Sequence, residues 1–208
     1  MQTLLQIFAK APVLGLVKTR LSVDIGEQAA CDAYTVLLEK TLQLVTTYTG
    51  LTEIYCAPDD SHHFFQACAH RYSINLRVQG VGDLGSRMLE ALQKGLETYD
   101  KVVLIGADCP VLTAEYLNAA LAALDKSDVV LGPAEDGGFV LIACRMTHAQ
   151  MFEGLSWGLP SVLKNTLLAL DKVALTHQLL PPLWDVDDIY DLRRWQAMGS
   201  PIGPAVDR

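Results

Sequence analysis

The chain has 208 residues and a mass of 22.7 kDa, enough for one compact domain with helices packed in layers on a sheet. Half of its residues are hydrophobic and 19% are charged, which excludes a largely disordered chain. No apolar run approaches the roughly 18–20 residues of a membrane span. The formal net charge of −8 argues against a broad nucleic-acid-binding surface. The N-terminus lacks the basic segment of a secretory signal, and five widely spaced cysteines fit reduced thiols, so we expect a cytoplasmic protein.

The hydrophobic pattern alternates between strands and helices along the whole chain. Strands are predicted at residues 4–9, 53–57, 74–79, 101–106, 128–131, 139–144 and near 173–179. Helices are predicted at 28–47, 61–72, 84–99, after Thr113, at 161–170 and at 188–198, with Ser61 and Thr113 as N-caps. This alternation predicts an α/β fold with a mainly parallel sheet, as a single domain over residues 1–198 with a loose tail at 199–208. Ligands bind at the carboxyl ends of such strands, so the loops there are the candidate site.

The loop after the first strand is cationic in an otherwise acidic protein. It carries Lys10, Lys18 and Arg20, and no acidic residue occurs before Asp24. Basic side chains and backbone N–H groups are what hold a triphosphate of about four negative charges, and Gly15 would let the main chain approach it closely. The segment is not a P-loop, because the first glycine is absent and the lysine is not adjacent to Gly15. A phosphate-binding loop and an ordinary solvated basic loop remain the two interpretations.

A glycine-rich turn follows the third predicted strand. Gly80-Val-Gly82-Asp-Leu-Gly85 matches the dinucleotide-binding fingerprint, and Asp108 follows at about the spacing of its acidic residue. An NAD-dependent oxidoreductase is therefore an alternative function. Two features count against it: the basic first loop would have no role, and the acid lies in Gly106-Ala-Asp-Cys-Pro110, which fits a metal-binding turn better. Arg87, in the first turn of the next helix, is a candidate to contact a phosphate or a substrate carboxylate.

Two groups of carboxylates are candidates for a metal site. Asp108 follows the most hydrophobic predicted strand, and Asp185 and Asp187 lie together near the C-terminus. Mg²⁺ prefers one or two carboxylates together with phosphate oxygens and water, so Asp108 with Asp185 or Asp187 predicts a Mg²⁺ (or Mn²⁺) site. A turn-forming role for Asp108 is the alternative. For the second group the alternative is the N-terminus of the last helix, where Asp188 and Asp191 are well placed.

The loop between the fifth and sixth predicted strands carries a further acid. Asp136 is followed by Gly137 and Gly138, and paired glycines allow backbone with positive φ close to a substrate. Asp136 is therefore a candidate to bind an acceptor hydroxyl or to act as a base. An ordinary hairpin turn would also explain the Asp-Gly-Gly sequence.

Five motifs occur together in one order. They are Phe8-x-Lys10-x-Pro12-x-x-Gly15-x-Val17-Lys-Thr-Arg-Leu21, Gly82-Asp-Leu-Gly-x-Arg-Met88, Gly106-x-Asp-Cys-Pro-x-Leu112, Gly132-Pro-x-x-Asp-Gly-Gly138 and Asp185-Val-Asp-x-x-x-Asp-Leu192. Over residues 4–192 the chain resembles a bacterial family of glycosyltransferase-A-like proteins, the radical-SAM/selenodomain-associated transferases. That family is related to the phospholactate guanylyltransferases and the molybdenum-cofactor nucleotidyltransferases.

The resemblance implies a three-layer, Rossmann-like nucleotide-diphospho-sugar transferase fold with a mostly parallel mixed sheet. It implies that the first-loop residues hold the nucleotide phosphates and that Asp108 binds the metal, with Asp185 and Asp187 completing the metal site. The first-loop residues are Lys10, Gly15, Lys18 and Arg20. It also places Asp83, Gly85 and Arg87 in the cleft near the nucleotide or acceptor.

We therefore expect a Mg²⁺-dependent transferase that binds a nucleotide and a small acceptor. Asp108, Lys18 and Asp136 are the candidate catalytic residues. Three cations on the first loop suit a triphosphate, which favours nucleotidyl transfer from a nucleoside triphosphate to a small phosphorylated or carboxylate acceptor. Glycosyl transfer from a nucleotide-diphospho-sugar is the alternative, and a nucleotide-binding module without catalytic activity is a more remote one.

Overall fold

A seven-stranded sheet forms the centre of the protein in the computed structural model, which describes residues 2–199. The strands are β1 (Thr3–Lys10), β2 (Leu51–Ala57), β3 (Asn75–Val78), β4 (Lys101–Ile105), β5 (Val129–Pro133), β6 (Phe139–Cys144) and β7 (His177–Leu179). Their order in the sheet is β3-β2-β1-β4-β6-β5-β7. Strand β6 is antiparallel to β4 and β5, and the other pairs are parallel. The predicted mixed, mostly parallel sheet is confirmed.

Helices cover both faces of the sheet. They are α1 (Thr19–Ile25), α2 (Glu27–Gln43, continued by a 3₁₀ turn at Leu44–Thr46), α3 (His63–Tyr72), α4 (Leu84–Leu96), α5 (Ala114–Ala123), α6 (Val162–Lys172) and α7 (Ile189–Ala197). Helices α2, α3 and α5 pack on one face, and α4 and α6 pack on the other. Alternate strand residues supply the two cores: Ile7 faces the first and Phe8 the second. This arrangement confirms the three-layer fold.

A third apolar cluster joins the two ends of the described chain. Leu21 of α1 and Leu37 of α2 pack against Trp195 of α7 and against Val186, which lies in the segment before that helix. All four side chains are almost fully buried. Burial on this scale contributes about 1.5–3 kcal/mol for each large side chain. The cluster therefore fixes the segment of Asp185 and Asp187 beside the first loop.

Some predicted boundaries were wrong. Residues 19–25 form α1, although they read as part of the first loop. Helix α3 is capped by His62 rather than Ser61: His62 Nδ1 accepts a hydrogen bond from the Phe64 N–H (3.3 Å), whereas the Ser61 hydroxyl donates to Asp59 (2.6 Å). Strand β5 extends to Pro133, and β7 is shorter than predicted because residues 173–176 form the turn that follows α6.

The predicted Thr113 N-cap is confirmed, since its hydroxyl accepts a hydrogen bond from the Tyr116 N–H at 3.3 Å. Residues 200–208 of the predicted loose tail lie outside the described residues. Within residues 2–199, no helix is both long and apolar enough to cross a membrane.

Candidate active site

A cleft of about 520 Å³ opens at the edge of the sheet where β1 and β4 end. Strand β6 runs in the opposite direction, so its first residue, Phe139, reaches the same edge. Most of the predicted site residues line this cleft: Lys10, Lys18, Arg20, Arg87, Asp108, Asp136, Asp185 and Asp187. Gly15, Asp83 and Gly85 lie outside its lining. The fold therefore brings residues from five separate segments of the chain to one concavity.

Three carboxylates converge on one side of the cleft. Asp108, Asp185 and Asp187 each offer an oxygen, and these oxygens lie within 4.8 Å of one another. The Val186 N–H donates to the Asp108 carbonyl at 3.0 Å and holds the two segments together. Because side chains alternate along an extended segment, burial of Val186 turns Asp185 and Asp187 towards the cleft.

Lys18 lies between two of these carboxylates. Its Nζ is 2.9 Å from Asp108 Oδ2 and 2.8 Å from Asp187 Oδ1, and its side chain is 6% exposed. Burial disfavours the charge, but the attraction of Asp108 and Asp187 outweighs it and raises the pKa of Lys18. Although burial opposes it, Lys18 in turn lowers the pKa of Asp187. The lysine that was predicted to hold phosphate is thus paired with the predicted metal ligands.

Asp185 carries an unfavourable negative charge. Burial, followed by repulsion from Asp108, Asp187 and Asp136, raises the pKa of Asp185 to about 7. A divalent cation among the three carboxylates would relieve both effects, and carboxylate oxygens are the ligands that Mg²⁺ prefers. The donor set therefore fits a hard divalent cation, although Lys18 already neutralises part of its charge.

Tyr34 of α2 holds the start of the first loop. Its hydroxyl accepts from the Lys10 N–H (2.9 Å) and donates to the Lys10 carbonyl (3.1 Å). Burial is the main reason that the pKa of Tyr34 is raised, so the hydroxyl stays protonated and keeps both bonds. The Lys10 side chain remains exposed, as does that of Arg20, whose guanidinium lies 3.6 Å from Asp187. Two cations of the first loop are therefore open to a ligand.

The glycine-rich turn supports the cleft from the side of α4. Asp83 is the N-cap of this helix and accepts hydrogen bonds from the Ser86 N–H (2.8 Å) and hydroxyl (2.7 Å). Gly85 packs so closely on Trp157 that an added Cβ would lie 2.7 Å from its ring. Arg87 lines the cleft and donates to the side-chain oxygen of Gln79 at 3.2 Å. Asp83 and Gly85 thus have structural roles, and their contacts with a nucleotide stay predictions.

Asp136 is held at the cleft by its hairpin. Its Oδ1 accepts from the Gly138 N–H at 2.8 Å, while the Gly137 carbonyl accepts from the Leu163 N–H at 2.9 Å, tying the hairpin to α6. Gly137 has φ of +90°, and a Cβ there would overlap the Pro160 carbonyl oxygen. The position therefore requires glycine, which leaves the Asp136 carboxylate exposed at a fixed place in the cleft.

An arginine outside the cleft connects this hairpin to the carboxylate segment. Arg194 of α7 donates to both oxygens of Glu135, at 2.7 and 3.1 Å, and its guanidinium lies 4.3 Å from the centre of the Trp184 ring. Glu135 precedes Asp136, and Trp184 precedes Asp185. A backbone hydrogen bond from the Glu135 N–H to the Leu183 carbonyl (3.0 Å) joins the same two segments.

Several side chains line the cleft without a predicted role in the site, among them Tyr34, Gln79, Phe139 and Trp157. Tyr34 reads as one more core residue of an amphipathic helix, so no local signal marks it. Gln79 was detectable as a polar residue at the end of a strand. Trp157 follows Gly154 and precedes Gly158 in a loop, which is an unusual setting for a purely structural tryptophan.

The fold and the cleft together define an α/β protein of the nucleotide-diphospho-sugar transferase fold with clustered carboxylates at the edge of the sheet. Residues 41–159, more than half of the chain, match the family model described as "Uncharacterized protein conserved in bacteria (DUF2064)". The chain therefore belongs to this family. The matched range contains Asp108 and Asp136, whereas Lys18, Asp185 and Asp187 lie outside it.

Solved structures extend the comparison to nearly the whole chain. A Desulfovibrio desulfuricans G20 protein, described provisionally as a nucleotide-diphospho-sugar transferase, is 30% identical with a TM-score of 0.87, over 96% of this chain and 89% of that one. A nucleotidyl transferase from Methanothermobacter thermautotrophicus is 12% identical with a TM-score of 0.64, over 95% and 97% of the two chains. CMP:2-keto-3-deoxy-manno-octonic acid synthetase, complexed with CTP, is 11% identical with a TM-score of 0.59, over 96% and 98%. No curated protein matches the chain.

Proposed function

We propose that this protein is a divalent-metal-dependent transferase that moves a nucleotidyl group from a nucleoside triphosphate to a small anionic acceptor. The observation that carries the proposal is the convergence of Asp108, Asp185 and Asp187 within 4.8 Å, beside the cationic first loop in one cleft. Polyphosphates require such a combination, because their charge is neutralised by a metal ion and by basic side chains together.

The residues of the first loop bind the phosphates. Lys10 at the end of β1 and Arg20 in α1 have exposed side chains, and the guanidinium of Arg20 lies 3.6 Å from Asp187. Lys18 lies one hydrogen bond away from the carboxylates. Their positive charges stabilise the negative charge that develops on phosphoryl oxygens in the transition state. Tyr34 fixes the backbone at Lys10, so the phosphate chain meets groups that are already in position.

Asp108, Asp185 and Asp187 would hold Mg²⁺ or Mn²⁺. A bound metal of this kind supplies Lewis-acid neutralisation of phosphate charge. The pKa of Asp185, about 7, means that this carboxyl must lose its proton before it can serve as a ligand near neutral pH. Lys18 competes for Asp108 and Asp187, so we expect its ammonium to turn towards the phosphates when they are bound.

The proposed reaction needs no general base, because the attacking oxygen of the acceptor is already ionised. An ionised phosphate or carboxylate oxygen of the acceptor attacks the α-phosphorus, a new P–O bond forms, and the bond to the oxygen bridging to the β-phosphate breaks. Pyrophosphate leaves with that oxygen. Asp136 would accept a hydrogen bond from a donor group on the body of the acceptor, because its carboxylate is exposed at the cleft on a hairpin that is fixed at both ends.

Comparisons support nucleotide chemistry in this fold. Nucleotidyl transfer is the named activity of the Methanothermobacter protein, and the structure of the octonic acid synthetase contains CTP. The resemblance of five sequence motifs to a glycosyltransferase-A-like family, related to guanylyltransferases and molybdenum-cofactor nucleotidyltransferases, points in the same direction. Both lines concern the class of reaction and leave the nucleobase and the acceptor open.

Glycosyl transfer is the second candidate, favoured by the 30% identity to a protein described as a nucleotide-diphospho-sugar transferase. In that reaction an acceptor hydroxyl attacks the anomeric carbon, the bond from that carbon to the diphosphate breaks, and a nucleoside diphosphate leaves. Asp136 would accept the hydroxyl proton. The same carboxylates, through a bound metal ion, and the same basic side chains would bind the diphosphate and neutralise its charge.

Product analysis separates the two reactions. The protein is incubated with Mg²⁺, labelled nucleoside triphosphates or nucleotide-sugars, and a panel of phosphorylated, carboxylated and hydroxylated acceptors. Nucleotidyl transfer predicts acceptor-dependent pyrophosphate release from a triphosphate, which Asp108→Asn abolishes. Release of nucleoside diphosphate from a nucleotide-sugar would instead establish glycosyl transfer. Binding of nucleotide without turnover of any acceptor would support a non-catalytic module, and thermal stabilisation by NAD(H) alone would support an oxidoreductase.

A further inference from the structure

Apolar side chains from α4, β6 and the loop before α6 line part of the cleft. We call Leu84, Met88, Phe139, Trp157 and Leu159 the apolar wall. Leu84 and Met88 lie one turn apart on α4, Phe139 begins β6, and the other two come from the loop before α6. The proposed phosphate chemistry needs none of these side chains, so their place in the cleft requires another explanation.

The apolar wall is rigid at its base and open towards the cleft. Trp157 packs edge-to-face on Phe139, with centroids 6.2 Å apart, and on buried Phe152 at 5.8 Å. In contrast, Leu84 and Leu159 are 37% and 52% exposed although they line a concave site. A cleft normally exposes apolar surface where a ligand will cover it.

Charged groups border the apolar wall. Arg87 lies next to Met88 on α4, and Asp136 lies on the hairpin that leads into Phe139. The Nε1 of Trp157 is buried and makes no hydrogen bond with the residues that the structure describes. The pKa of the nearby Asp83 carboxyl is lowered mainly by its two hydrogen bonds with Ser86, and the N–H of Trp157 contributes less. The wall thus offers area for apolar contact, few polar partners and one adjacent cation.

A nucleobase is a poor match for this wall. Its edge carries several donors and acceptors, and a polar group that is buried without a partner lowers affinity. Gln79 on the β1–β2 side of the cleft is a better partner: its amide nitrogen donates to the Ala9 and Tyr55 carbonyls (3.4 and 2.9 Å), and its oxygen accepts from Arg87 with one lone pair left to accept from the edge of a base. We therefore place the base on that side and a different molecule on the wall.

Building on the proposed function, we infer that the acceptor is a phosphate monoester or carboxylate with an apolar ring or alkyl body, and not a polyhydroxylated sugar. Its body packs on the apolar wall, while its anionic group lies towards Arg87 and the reacting phosphate. Several hydroxyl groups of a sugar would face Leu84, Phe139 and Leu159 without hydrogen-bond partners.

Two matched probes test this inference: phenyl phosphate and glucose 1-phosphate, which share the phosphate group and differ in the body. Binding of each is measured by calorimetry with the full chain, with and without Mg²⁺ and CTP. We expect phenyl phosphate to bind about ten-fold more tightly, as burial of one aromatic ring provides. Leu159→Asn should weaken phenyl phosphate about three- to five-fold and leave glucose 1-phosphate unchanged. Leu168→Asn, at an exposed leucine of α6 outside the cleft lining, is the control and should change neither.

Equal affinity for the two probes, or no effect of Leu159→Asn on phenyl phosphate, would overturn the inference. Mutually exclusive binding of phenyl phosphate and cytidine, which carries no phosphate, would do so too, because it would place the nucleobase on the wall. The same titrations report separately on the proposed function: if phenyl phosphate is preferred but no nucleotide binds with Mg²⁺, the apolar subsite stands and the nucleotidyltransferase proposal fails. If nucleotide binds with Mg²⁺ but the two probes bind equally well, the nucleotidyltransferase proposal stands and the apolar subsite fails.

Discussion

Lys18 Nζ lies 2.9 Å from Asp108 Oδ2, so a residue of the first loop pairs directly with the carboxylate that follows β4. A second bond of 2.8 Å to Asp187 connects the same ammonium to the segment before α7. The backbone of Lys18 adopts the left-handed helical conformation, with φ of 46° and ψ of 46°, which is uncommon for residues other than glycine. This geometry fixes the cationic loop against the acidic cluster at the centre of the cleft.

Replacement of Lys18 by Ala should destabilise the metal-free protein and increase its stabilisation by Mg²⁺. Removing the ammonium leaves two close carboxylates uncompensated, and we expect a loss of about 2 kcal/mol, below the range for fully buried pairs because the partner side chains are 34% and 40% exposed. Mg²⁺ should stabilise the variant more than the parent protein, as seen by thermal unfolding.

The same variant tests phosphate contact. We expect Lys18→Ala to weaken binding of a nucleoside triphosphate far more than binding of the nucleoside, as measured by calorimetry with Mg²⁺. Equal losses for the two ligands would contradict a phosphate contact of Lys18.

Asp185→Asn should stabilise the metal-free protein and weaken its affinity for Mg²⁺. Because the pKa of Asp185 is raised to about 7, its ionisation makes folding less favourable as pH rises from about 4 to about 7, and this loss persists above pH 7. Removing the charge should recover about 1–3 kcal/mol at pH 8, measured by chemical unfolding. At pH 4 the two proteins should differ little, and an unchanged stability at pH 8 would argue against a strained carboxylate.

The pKa of Asp185 also predicts how metal binding depends on pH. Mg²⁺ requires the ionised carboxylate, so affinity should increase as pH rises through about 7 and should level off above it. Calorimetric titration with Mg²⁺ between pH 5.5 and 8.5 measures this. A constant affinity over that range would contradict the participation of Asp185.

Arg194 should act as a positioning residue for the cleft. Arg194→Lys loses the two-point bond to Glu135 and the guanidinium contact with Trp184, yet both ionic partners are about half exposed, so the free energy of unfolding should fall only slightly. We expect weaker binding of an acceptor probe such as phenyl phosphate, with nucleotide affinity unchanged. Arg193→Lys, at the neighbouring exposed position, is the control. Equal behaviour of the two variants would show that the connection has no role in the site.

Gly137→Ala should disrupt the Asp136 hairpin. The residue has φ of +90°, and a Cβ would overlap the Pro160 backbone, so we expect a loss of about 2–3 kcal/mol in chemical unfolding. Gly154→Ala is a matched control, because φ is +73° there and an added Cβ meets nothing within 4 Å. It should lose only about 1 kcal/mol, and similar losses for both variants would contradict the close contact with Pro160.

Local patterns were sufficient to predict most of the fold. Strand β4 is a continuous apolar run that is buried throughout, and α4 shows a clear apolar face, so both follow from periodicity. Helix α1 was missed because its seven residues lie directly after the basic loop and are too few to show a helical pattern. It is stabilised by packing of Leu21 in the third cluster, which is a tertiary contact.

The sequence was sufficient to predict which residues form the site, but not which of those residues pair with one another. Asp108, Asp185 and Asp187 stood out as acids at strand and helix ends, and the fold brings them together. Nothing in the sequence shows that Lys18 pairs with Asp108, 90 residues away, because that contact depends on the pairing of β1 with β4 in the sheet. The pairing of Arg194 with Glu135 depends on tertiary structure in the same way.

Crystallography with Mn²⁺ and CTP tests the central claim most directly, because Mn²⁺ is located by its anomalous scattering. We expect one Mn²⁺ among the carboxylates of Asp108, Asp185 and Asp187, with the phosphates of CTP between that ion and the side chains of Lys10 and Arg20. Metal bound at another place, or phosphates that lie away from the first loop, would contradict it.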